Sequence, residues 1–111
     1  MISNTPFDPI EYMAEMDSQK AKLDAMNVEQ LVAYIKEKCS NVPFYASLIM
    51  GEHFLSVSGQ VINALSENGY TAKVKLDELL TCPITGRFNM LYVNKILNEE
   101  EKLLYQEYRK F

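Results

Sequence analysis

One segment carries apolar residues on two opposite sides of a helix, and this limits the packing open to the chain. From Asp8 to Met26 the spacing predicts a helix. Ile10, Met13, Ala14 and Ala21 fall on one side, and Tyr12, Met16, Leu23 and Met26 fall about half a turn away. A helix on the surface of a small domain needs only one apolar stripe. The second stripe must be covered by other parts of the same domain, by another copy, or by a partner protein. Asp8-Pro9-Ile10-Glu11 supplies the start: a cap, a proline suited to the first helical position, and a glutamate that can close a capping box.

The remaining periodicities describe an α+β domain. Asn27-Val28-Glu29-Gln30 repeats the capping pattern, and Val28, Leu31, Val32, Ile35 and Cys39 then make a single buried stripe. After the break at Ser40–Pro43, the run from Phe44 to Met50 has the length of a buried strand and could also be a helix opened by Pro43; strand is the preferred reading. Gly51 permits a turn. A third helix is expected from Ser58, which caps it, to Asn68-Gly69, where glycine supports a left-handed ending. From Tyr70 to Leu76 apolar residues alternate with Thr71, Lys73 and Lys75, which defines a half-buried strand. Asp77 to Cys82 reads as a short connection with room for one helical turn, and Pro83–Gly86 as a turn. Arg87 to Val93 reads as a second, more buried strand. Asn98, followed by Glu99, Glu100 and Glu101, opens a last helix with one broad apolar side: Ile96, Leu97, Leu103, Leu104, Tyr108 and Phe111. The expected fold has about four helices on a mainly antiparallel sheet of two or three strands, with residues 1–111 in one domain and 1–7 loose.

Composition narrows the function classes. The net charge of −4 is concentrated in residues 1–56, which hold 4 Lys/Arg against 8 Asp/Glu. That balance disfavours a nucleic-acid backbone, where affinity comes from cations displacing counterions. The two cysteines, Cys39 and Cys82, lie far apart, which fits a reducing compartment better than a disulfide framework. Cys39 falls on the buried stripe and reads as a small core hydrophobe. The first residues lack the basic and apolar regions of a signal peptide, so a cytoplasmic location is expected.

Chemical signatures are sparse. His53 is the single histidine and reads as a partly exposed loop residue. No two candidate zinc ligands sit close in sequence, and no nucleophile has an adjacent base. The glycines at 51, 59, 69 and 86 form no phosphate loop. No catalytic residue, metal site or cofactor is assigned. Leu80-Thr81-Cys82-Pro83-Ile84-Thr85 resembles the opening of a U-box, the ubiquitin-ligase module, over those six residues only; nothing of that family is carried over.

These readings favour a small non-enzymatic protein-binding protein: an adaptor, a regulator or an inhibitor of the kind carried by phages. The expected contact surface is Tyr12, Met16, Leu23 and Met26, through self-association or a protein partner. The alternative is a nucleic-acid-associated regulator using a β-hairpin with Lys73, Lys75 and Arg87. The helix from Ser58 to Asn68 carries Glu67 and no Lys or Arg, which argues against a winged-helix reader.

Overall fold

The structure is a computed structural model that describes residues 9–82 and 86–110. Among the described residues, five helices and three strands follow in the order α1 (Pro9–Asp24), α2 (Val28–Cys39), β1 (Tyr45–Met50), α3 (Glu52–Ser56), α4 (Ser58–Glu67), β2 (Tyr70–Cys82), β3 (Gly86–Lys95) and α5 (Glu99–Arg109). The sheet is antiparallel throughout, in the order β1-β3-β2. The α+β class is as expected, and the run ending at Met50 is a strand.

Local chemistry accounts for most of the boundaries. Asn27 accepts the Gln30 backbone N–H at 2.8 Å, and the Gln30 side chain accepts the Asn27 N–H at 3.0 Å. This reciprocal box satisfies two donors that a helix start otherwise leaves unpaired. Leu31, Ile35 and Cys39 are fully buried along one stripe of α2, with Val28 and Val32 packed beside them. Gly69 takes a positive φ of 88°, so the chain leaves α4 through a left-handed residue.

The sheet register builds the core. Ala46, Val93 and Ala72 form one cross-strand row, and Leu48, Leu91 and Val74 form the next. The helix α4 lies against β2, while α2 lies against β1, β3 and α4. Full burial of Ile35, Leu65, Leu91 and Val93 contributes about 1.5–3 kcal/mol each relative to exposure.

Three boundaries depart from the sequence reading. Residues 77–82, expected as a connection, continue β2 as far as Cys82, with an irregularity between Asp77 and Cys82. Asp77 pairs with Phe88, and the ladder resumes at Cys82 opposite Gly86. Ser58 is the first residue of α4 rather than its cap; its hydroxyl donates back to the Leu55 carbonyl at 2.8 Å. The short helix α3 was not anticipated, and it places His53 in a helix instead of a loop. Residues 1–7, the Asp8 cap, the Pro83–Thr85 part of the turn and Phe111 lie outside the described residues.

Candidate interaction surface

The two faces of α1 have different fates. Leu23 is 3% exposed and belongs to the core; Met16 and Met26 are half-buried and pack against it, and Tyr12 is half-buried. The stripe expected to face a partner is thus the side on which α1 meets its own domain. The reason is area. Leu23, Met16 and Met26 remove more apolar surface from water than Ala14 and Ala21, which are exposed; from the opposing stripe Met13 also packs against the core, and Ile10 is exposed.

Among the described residues, exposed large apolar side chains cluster on α5, where no residue is buried. Leu103 is 64% exposed, Leu104 54% and Tyr108 49%, and Ile96 just before the helix is 60% exposed. Leu103 and Leu104 line an open groove with Glu100, Gln106, Glu107 and Lys110. These leucines belong to the apolar side noted in the sequence but were not chosen as contact residues. A usable signal was present: Glu100 and Glu107 project between Leu103 and Leu104 on the helical wheel, and unpaired carboxylates are almost never buried in a core.

Although it is exposed, α5 is tied to the end of β3 at its first turn. Asn98 accepts the Glu101 N–H at 2.9 Å, and the Glu101 carboxylate accepts the Asn98 N–H at 3.1 Å. Glu101 also pairs with Lys95 at the end of β3. The Lys95 ammonium lies 5.7 Å from the centre of the Phe44 ring, and the Ile96 N–H donates to the Gly69 carbonyl at 2.9 Å. The hydrogen bond from Lys95 holds the Glu101 carboxyl below its ordinary value, and the same bond raises the Lys95 ammonium. Tyr105 turns toward Pro43, Phe44 and Tyr45 across a cleft of about 300 Å³. Its other neighbours are Tyr108, stacked at 6.2 Å, and Arg109, 5.9 Å from the ring.

The alternative hairpin site is thin. Lys73 and Lys75 are exposed, and Lys73 lies cross-strand from Tyr92, which stacks on Tyr45 at 6.4 Å. The Arg87 side chain lies outside the described residues. Two cations would release only about two counterions, where proteins held by phosphates use roughly 6–10 contacts.

Cys39 is buried and free, and desolvation raises its thiol above the ordinary range against a weaker lowering by Lys95. The His53 imidazole Nε2 lies 3.1 Å from the Met26 carbonyl. Among the described residues, no three of His, Cys, Asp and Glu gather as a metal would need, and no helix is long and apolar enough to cross a membrane. No protein-family model matches the chain, and neither a curated protein nor a solved structure matches it.

Proposed function

We propose that this chain is a small non-enzymatic protein-binding domain, an adaptor, regulator or inhibitor, that works through the outer face of α5. The observation that carries the reading is a capped, ion-paired helix with Leu103, Leu104 and Tyr108 left in water. Clustered exposed apolar residues on a small domain mark an interaction surface. Aromatic residues are enriched in the buried centres of such interfaces, as Tyr108 would be. A reducing compartment such as the cytoplasm suits the free, buried Cys39.

Affinity capture from an extract of the source cell tests the reading, comparing wild type with Leu104→Glu. Ala21→Glu, on the exposed side of α1, serves as control. Co-purifying protein should be lost with Leu104→Glu and kept with Ala21→Glu. Equal recovery with wild type and Leu104→Glu overturns the assignment.

A further inference from the structure

We infer that the outer edge of β1 binds a short extended peptide segment with acidic side chains, which adds to the sheet as a strand beside Lys22 and Lys38. The site is separate from α5 and goes beyond the function proposed above. β1 is an end strand, paired with β3 alone. The Lys95 N–H donates to the Phe44 carbonyl at 3.0 Å, and the Ile96 N–H turns the other way, to Gly69. Ladder bonds alternate along a strand, so those of β1 fall on Ala46, Leu48 and Met50. Tyr45, Ser47 and Ile49 therefore direct their N–H and C=O groups away from β3. Ile49 is buried, whereas Tyr45 and Ser47 are exposed. Among the described residues, no hydrogen bond meets the outward groups of Tyr45 and Ser47. β1 itself carries no charged side chain to guard this edge, while β2, at the other end of the sheet, carries Lys73 and Lys75.

A cavity of about 260 Å³ lies along the same edge. It touches four consecutive residues, Tyr45–Leu48; their side chains alternate between faces, so the cavity follows the strand margin. Gln19 and Leu23 of α1 and Tyr34 and Lys38 of α2 complete its wall, and Lys38 is the one charged residue among them. The Lys38 ammonium lies 5.4 Å from the centre of the Tyr34 ring, and the Lys22 ammonium reaches the same ring at 5.1 Å. Among the described residues, neither ammonium has a carboxylate within 4.0 Å. Glu15, one turn before Gln19, and Glu37, beside Lys38, are exposed and line no part of the cavity. Two like charges gathered on one ring favour an incoming anion.

The two features together select the occupant. An edge that offers both donors and acceptors is satisfied by a strand, which accepts and donates in turn; an inorganic anion only accepts. The lysines then favour acidic side chains on that strand. A second copy pairing through its own β1 would gather Lys22 and Lys38 of both copies along one seam, where like charges repel. With only Tyr45 and Ser47 open, the backbone bonds are few and the binding is weak.

Fluorescence anisotropy with a labelled Val-Glu-Val-Glu-Val peptide tests this. Wild type should bind it with Kd below about 1 mM and at least about tenfold more tightly than Val-Lys-Val-Lys-Val. Lys22→Glu combined with Lys38→Glu should reverse that preference. N-methylation at every second amide, made in both registers, should weaken binding by about tenfold in one of them, because the methyl groups then block the bonds to β1. Ser47→Pro removes an outward N–H without taking a ladder bond and should also weaken binding; circular dichroism checks its fold, and the methylated peptides carry the same test if it does not fold. Leu104→Glu should bind the peptide as wild type does, so this site and the α5 face stand or fall separately. Absence of binding up to about 1 mM overturns the inference, as does equal affinity for the acidic and basic peptides. Full affinity for both methylated peptides, or displacement by an equal concentration of inorganic phosphate, would reduce the site to a free-anion site and overturns the added strand.

Discussion

The carboxylate of Asp24, at the end of α1, accepts the backbone N–H of Phe54 at 2.9 Å. It lies 3.4 Å from the His53 N–H as well. Gly51 precedes α3 and has no side chain to cap it, so a residue distant in sequence serves instead. Asp24→Ala should lower stability by about 0.5–2 kcal/mol, read from urea denaturation, because two helix-start donors lose their acceptor. Asp24→Asn should recover part of that loss.

Gly51 belongs to the same arrangement. A Cβ at this position would overlap the Asp24 carboxylate. Gly51→Ala should therefore destabilise by displacing the cap. Its effect should fall well short of additive with Asp24→Ala, since both changes break the same contact. A double-mutant cycle in urea measures the coupling, and full additivity would show that Gly51 acts for another reason.

The two leucine environments should separate cleanly. Leu23→Ala, in the core, should cost about 2–5 kcal/mol. Leu104→Ala, in water, should change stability by no more than about 0.5 kcal/mol. Thermal melts of dilute protein test both. A large loss for Leu104→Ala would mean that α5 supports the core.

The tether of α5 has a defined pH window. Glu101 is held below its ordinary value of 4.5, so its contribution is complete above about pH 4.5 and disappears as pH falls through the lowered value. Lys95 is held above 10.5, so its contribution is complete below about pH 10.5 and disappears as pH rises through the raised value. Amide protection in α5, corrected for the intrinsic pH dependence of exchange, should fall selectively toward either extreme while the sheet stays protected. Glu101→Gln, which can still close the capping box, should loosen α5 already at neutral pH.

Cys39 should be chemically silent in the native state. In a Cys82→Ser background, its thiol should react with an aromatic disulfide reagent only as fast as the domain opens, and immediately in denaturant. Rapid reaction of the folded protein would contradict its burial.

What could be read from the sequence divides by range. The boxes Asn27/Gln30 and Asn98/Glu101 join residues three apart, and both form as the pattern implies. The α2 stripe and the Tyr70–Lys75 alternation are equally local. The Asp24 cap spans thirty residues of chain and leaves no local trace. For α1, periodicity shows two apolar faces but not which residues dock; Met16 and Leu23 from one and Met13 from the other pack in the domain, while Ile10, Ala14 and Ala21 stay exposed. For α5, the apolar count suggested an ordinary packed helix, and the weight of Glu100 and Glu107 was missed. The length of β2 was hidden because Asp77 and Glu78 resemble a helix start until β3 pairs alongside.

The central place of β3 governs the order in which the domain can assemble. Its residues are made some forty positions after those of β1, yet β1 takes its pairing from β3 alone. During synthesis, Leu48, Ile49 and Met50 leave the ribosome with no neighbouring strand to join. The helical layer likewise has no finished floor until about residue 95 has emerged. Completion of β3, rather than gradual growth, thus sets the moment at which this chain becomes a domain.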